Sequence, residues 1–179
     1  VQQSFDLSCG AAAMATVLTY FYGRETSERD ILDAVYEAST PETRQSIAQA
    51  GFSLLELKNH FERLGFVAGG FRVPGVEDLS SLSVPAISLV NVRGYNHFVV
   101  IKRLEGEYVL VADPAFGNLR IHKDTFASQW SHVILVAVRE GGDVRQAFFE
   151  DQTVRARPLE LLSLDISPWS ATIQDANEF

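Results

Sequence analysis

Near Gly65 the hydrophobic period of this chain changes from one suited to helices to one suited to strands, and that switch restricts the fold more than any other feature. Ala11 to Tyr22 is rich in Ala, Met and Leu, lacks Gly and Pro, and ends at Gly23, a natural residue just past a helix end. Thr26-Ser27-Glu28-Arg29-Asp30 reads as a cap, followed by a helical stripe of Ile31, Ala34, Val35 and Ala38. Thr40-Pro41 opens a short helix with proline in the first turn, where its missing N–H does little harm. Ser53-Leu54-Leu55-Glu56 is a capping box, and Leu54, Leu57, Phe61 and Leu64 line one face of the helix that Gly65 stops.

Beyond Gly65 the apolar runs shorten and turn residues separate them. Phe66 to Val73 is apolar but interrupted by Gly69-Gly70; Val84–Asn91, His97–Leu104, Tyr108–Asp113, Leu119–His122 and His132–Arg139 are β-rich, with Gly106-Glu107 as a hairpin turn. Helices first and antiparallel strands second predict an α+β domain, N-terminal helices packed on an antiparallel sheet. At 179 residues with 46% hydrophobic content, one core of ordinary size is expected. The pattern weakens after Glu140-Gly141-Gly142, which predicts a domain over residues 1–142 and an extension over 143–179. Ala147-Phe148-Phe149 and Leu159–Leu162 are the parts of that extension able to dock.

A net charge of −8 argues against nucleic acid and anionic membrane surfaces as partners. No stretch approaches the eighteen or so apolar residues of a membrane span. The chain begins with Val1 rather than Met, so a longer precursor is expected, trimmed by a signal peptidase or by cloning.

Cys9 is the only cysteine, which rules out an internal disulfide. A lone cysteine is most often a small buried hydrophobe. Its context here points elsewhere, because a predicted helix begins beside it and a helix N-terminus favours the thiolate. Gly10 lets a substrate approach the backbone at that point. Gln3, six residues upstream, is able to donate its side-chain amide to an oxyanion together with the Cys9 N–H.

Asn96-His97-Phe98-Val99-Val100-Ile101 supplies a candidate base, and Ala112-Asp113-Pro114 a carboxylate to accept its Nδ1–H. A hairpin centred on Gly106-Glu107 sets His97 opposite about Phe116 and leaves Asp113 three residues away, roughly 10 Å. An asymmetric turn or a bulge is needed to close that gap. His60, His122 and His132 read as core or surface residues. No Cys/His or carboxylate cluster has metal-ligand spacing, so no metal and no cofactor are predicted.

With these residues the chain resembles the C39 family of papain-like cysteine peptidases, the group that includes the double-glycine leader peptidases of bacteriocin export. The resemblance rests on Gln3-x5-Cys9-Gly10, Gly51-Phe52-Ser53-Leu54-Leu55-Glu56-Leu57 leading to Leu64-Gly65-Phe66, Val84-Pro85-Ala86-Ile87, Asn96-His97-Phe98-Val99-Val100, and Val111-Ala112-Asp113-Pro114-Ala115-Phe116-Gly117. Phe126 to Trp130 fits the segment after the acid, so the likeness runs from Gln3 to about Arg139. It implies a papain-like fold with Cys9 as nucleophile, His97 as base and then acid, Asp113 as orienter and Gln3 in the oxyanion hole. The implied substrate is a secreted polypeptide cut after Gly-Gly or Gly-Ala, with Gly94-Tyr95-Asn96 as a wall of the narrow cleft. No G-x-x-x-x-G-K-[ST] loop is present, unlike members fused to a transporter ATPase. That marks a stand-alone member, of the kind found in Gram-negative secretion and functional-amyloid systems, and a periplasmic or secreted setting, with a cytoplasmic one as the alternative. Two other readings stay open: a peptidase fold that binds a leader or partner without cutting it, and an amidase or acyl transferase using the same three residues.

Overall fold

The structure, a computed structural model, describes residues 8–92, 94–139 and 148. Helices α1 (Cys9–Thr16), α2 (Glu28–Glu37), α3 (Pro41–Ala50) and α4 (Leu54–Arg63) come first. Strands β1 (Val67–Arg72), β2 (Ala86–Val92), β3 (Tyr95–Glu105), β4 (Tyr108–Asp113), β5 (Gly117–His122) and β6 (Trp130–Val138) follow, with α5 (Lys123–Gln129) between the last two strands. All pairings are antiparallel, in the order β1-β6-β2-β3-β4-β5. The α+β class expected from the change of period is the class observed.

α1 is buried on every side from Gly10 to Thr16, which suits a helix that is apolar all round. Its alanines let α2, α4 and β3 approach closely. Past Thr16 the turn widens into a π-helical stretch, Val17–Phe21, where the Tyr22 N–H reaches back to the Val17 carbonyl at 3.2 Å. The sequence predicts an uninterrupted α-helix there. Thr16 supplies a physical reason for the difference, because its hydroxyl donates to the Ala12 carbonyl at 2.8 Å and competes for the helical ladder.

α2 and α4 begin as their sequences predict. Ser27 and Asp30 form a reciprocal capping box, as do Ser53 and Glu56. Leu54, Leu57 and Phe61 are buried along one face of α4.

The sheet has a core on each face. Phe98, Val100 and Ala112 join the helices and Phe21, Phe61 and Leu135 on one side; Val99, Ile101, Val109 and Val111 join Phe126, Trp130 and Ile134 on the other. Burial on both faces is why β3 reads as an unbroken apolar run rather than an alternating one. β1 continues through Gly69-Gly70, contrary to the predicted break; the Phe71 ring lies 3.0 Å from where a Gly69 Cβ would stand and so covers the glycine.

α5 and the 3-10 segment Val76–Ser81 have no counterpart in the sequence-based expectations. Each buries one apolar residue, Phe126 and Leu79 respectively, too few to make a stripe. Of the expected docking residues in the extension, Phe148 is described: it packs edge-on against Phe21 at 5.9 Å and under the Lys102 ammonium at 4.7 Å. The boundary expected at 142/143 lies outside the described residues.

Candidate active site

Cys9 is the first residue of α1, partly buried, at the positive end of the helix dipole. Among the described residues no side chain caps this end. Gly10 sets how closely the helix end approaches the sheet. A Cβ there would stand 3.1 Å from Phe52 Cβ and 3.2 Å from Phe98 Cδ2. The missing side chain therefore matters for packing as well as for access.

His97 lies near the start of β3, paired with Val90 of β2. The turn before it is braced: the Gly94 N–H donates to Asn91 Oδ1 at 2.9 Å, and Asn91 Nδ2 donates to Asn96 Oδ1 at 2.9 Å. Gly94 takes φ 88°, which glycine alone adopts without strain. Nothing in the sequence motifs singled out Asn91, although an Asn three residues before a turn glycine is a known turn signal.

β3 and β4 start from their hairpin in the predicted register, Glu105 opposite Tyr108 and Arg103 opposite Leu110. The register then shifts by one, so that Ile101 faces Val111 and Val100 faces Ala112, with Lys102 as the extra residue. A one-residue shift exchanges the two faces of a strand. Continued to the end of β4, the shifted register puts Asp113 on the same face as Val99 and His97 rather than on that of Phe98 and Val100. His97 and Asp113 are then diagonal neighbours, within side-chain reach.

The contact is made. His97 Nε2 lies 2.9 Å from Asp113 Oδ1. The same carboxylate oxygen accepts the N–H of Ala115 at 2.8 Å and of Phe116 at 3.0 Å, so the β4–β5 turn fixes the acid in place. The His97 side chain is 19% exposed and that of Asp113 7%. The ring nitrogen differs from the one expected: Asp113 meets Nε2, not Nδ1. The diagonal approach brings the carboxylate to the Nε2 edge of the ring.

The Cys9 side chain lies close enough to the His97 ring to support its protonated form. Burial alone would lower the basicity of His97, yet its pKa is raised to about 10. The hydrogen bond to Asp113, the nearby Cys9 side chain and their negative charges outweigh the loss of solvent. A thiol, an imidazole and a carboxylate placed in series form an arrangement suited to nucleophilic acyl transfer.

The remaining histidines lie in other settings. His60 is buried in α4, and its pKa is lowered by burial and then by the charges of Arg63 and Arg24. His122 caps α5 through Nδ1, 3.4 Å from the Asp124 N–H. His132 stacks on Trp130 and lies 3.2 Å from the Val73 carbonyl. Tyr95, the middle residue of the expected cleft wall, is exposed at the start of β3. Gln3 lies outside the described residues.

The family model described as "Peptidase C39 family" matches residues 1–141. A relative in Pseudomonas aeruginosa, "Probable functional amyloid protease FapD", is 39% identical over 143 residues, covering 80% of this chain and 62% of its own length. A protein of the same name in Pseudomonas fluorescens is 33% identical over 153 residues, covering 86% of this chain and 66% of its own length. The chain thus spans about two thirds or slightly less of these relatives. Among solved structures, the peptidase domain of Streptococcus ComA superposes with a TM-score of 0.64 at 20% identity, covering 78% of this chain and 97% of that one, a likeness of fold. A double glycine motif protease from an AMS/PCAT transporter, solved with its leader peptide, superposes with a TM-score of 0.52 at 28% identity, covering 76% and 88%.

Proposed function

This chain belongs to the Peptidase C39 family, and from that membership we propose that it is an active cysteine endopeptidase that cuts a secreted polypeptide after small residues such as Gly-Gly or Gly-Ala. The observation that carries the proposal is the His97–Asp113 hydrogen bond, with Cys9 at the start of α1 close enough to act on the same ring.

In this reading Cys9 Sγ, as thiolate beside the His97 imidazolium, attacks the scissile carbonyl carbon. The C–S bond forms as the carbonyl π pair moves to oxygen. The Cys9 N–H and the Gln3 side-chain amide receive that oxyanion, each such donor being worth about 2.7–4 kcal/mol. His97 gives its proton to the departing amine as the C–N bond breaks, leaving a thioester. It then takes a proton from water, whose oxygen attacks the thioester carbon and releases the sulfur. Asp113 holds the ring and favours its charged form.

The relatives named for functional amyloid suggest a substrate of that kind, met in the periplasm or outside the cell. Among the described residues no helix is long and apolar enough to cross a membrane. The test is incubation of the purified chain with peptides bearing Gly-Gly and Gly-Ala at varied positions, read by mass spectrometry. Product is expected from the wild type and none from Cys9→Ala. Intact peptides in both, together with retention of one peptide by Cys9→Ala, would turn the reading toward binding without cleavage. New amide products on adding a primary amine would turn it toward transfer.

A further inference from the structure

Ser8, immediately before the cysteine, directs its hydroxyl away from α1. The hydroxyl donates to the carboxylate of Glu28, twenty residues away, and both residues are nearly inaccessible, 2% and 4% exposed. Glu28 is the first residue of α2, where the helix dipole favours a carboxylate. Serine is among the best helix caps, and a capping serine has extended backbone with its oxygen on the N–H groups of the first turn. Ser8 instead has φ −104° and ψ 9°, and makes no cap bond. The contrast with Ser27 and Ser53, which both cap their helices, shows that this chain uses serine conventionally elsewhere.

We propose that Glu28 is a positioning residue: by holding the Ser8 hydroxyl it keeps Ser8 at ψ 9°, against 159° and 167° at the capping Ser27 and Ser53, and that angle aims the Cys9 N–H at the reaction's oxyanion. Without the carboxylate, Ser8 turns to its ordinary extended capping conformation, and the rotated Ser8–Cys9 peptide points the Cys9 N–H away from the oxyanion while the thiol stays beside His97. The inference rests on the peptidase reading above, in which the Cys9 N–H receives the oxyanion.

Two probes of the purified chain separate the effects. A Gly-Gly peptide aldehyde adds the thiol across its C=O: the C–S bond forms, the π pair goes to oxygen, and no group leaves. Its affinity depends on the oxyanion site. Iodoacetamide alkylates the sulfur with loss of iodide and makes no oxyanion. Glu28→Met keeps the volume and removes the acceptor; it is expected to weaken aldehyde binding about tenfold or more while changing the iodoacetamide rate less than about threefold. Glu28→Gln keeps an acceptor oxygen and is expected to stay within about threefold of wild type on both probes. The double variant Ser8→Ala/Glu28→Met, with no hydroxyl left to cap, is expected to recover most of the lost aldehyde affinity.

Equal losses on both probes in Glu28→Met, or a double variant no better than Glu28→Met, overturn the proposal. Should Glu28→Met fail to fold, a Glu28→Gln variant that folds yet loses aldehyde affinity selectively overturns it as well. A wild-type chain that binds no aldehyde and cleaves no peptide removes the peptidase reading instead, before any Glu28 variant is compared.

Discussion

His97 meets Asp113 two residues out of register, across a strand pair that one extra residue, Lys102, has shifted. In the unshifted register Asp113 would share a face with Val100, on the helix side, and His97 would point the other way. The bulge at Lys102 therefore decides which residues meet at this end of the sheet.

Asp113 is tied to His97 and to two turn amides through one oxygen. Asp113→Ala is expected to lower kcat/KM by about 10²-fold or more, because both the ring's orientation and its charge lose support. Asp113→Asn keeps an acceptor oxygen without the charge, so its loss is smaller. In that variant the alkaline limb of the pH profile moves to lower pH. Steady-state kinetics between pH 6 and 10.5 on any cleaved peptide checks both.

The raised pKa of His97 also predicts how stability follows pH. The folded chain holds this proton more tightly than the unfolded chain, from an ordinary value of 6.5 up to about 10. Its stabilising contribution is therefore complete below pH 6.5 and is lost as pH rises toward 10. Melting curves at pH 6.5, 8.5 and 10 should show a steeper fall in Tm for the wild type than for His97→Gln.

His60 carries the opposite sign. Burial, then Arg63 and Arg24, hold its pKa below 6.5, and among the described residues its Nδ1 has no hydrogen-bond partner. The unfolded chain takes up this proton more readily, so the stability present above pH 6.5 falls as the medium becomes more acid. In His60→Leu the decline in Tm between pH 7 and 5 should be shallower.

Gly10 offers a packing test. A methyl group at 3.1 Å from Phe52 Cβ and 3.2 Å from Phe98 Cδ2 must displace α1 or the rings. Gly10→Ala is expected to cost about 1–3 kcal/mol by urea denaturation, despite the better helix propensity of alanine. Catalysis should fall with it, since the displaced turn carries Cys9.

How much of this was legible in the sequence varied with how local the cause was. The ends of α2 and α4 could be read because Ser27, Asp30, Ser53 and Glu56 satisfy helix N–H groups within three residues. The strand order β1-β6-β2 was not, because β6 inserts between strands remote from it in the chain and apolar runs do not name their partners. The need for a bulge or an asymmetric turn followed from the hairpin arithmetic, but neither the choice nor the position did, since Lys102 looks like an outward-facing residue and is instead buried beside Phe148. The Ser8–Glu28 bond was not legible either, because it joins residues twenty apart in the chain that share no local motif.

The most direct measurement is the pH dependence of iodoacetamide labelling at Cys9, in the wild type and in His97→Gln. If the imidazole supports a thiolate, the wild type labels much faster at pH 6 than a free-cysteine peptide, and His97→Gln loses that advantage. A wild-type rate that matches the peptide at every pH, and does not change on replacing His97, would contradict a working Cys9–His97 pair.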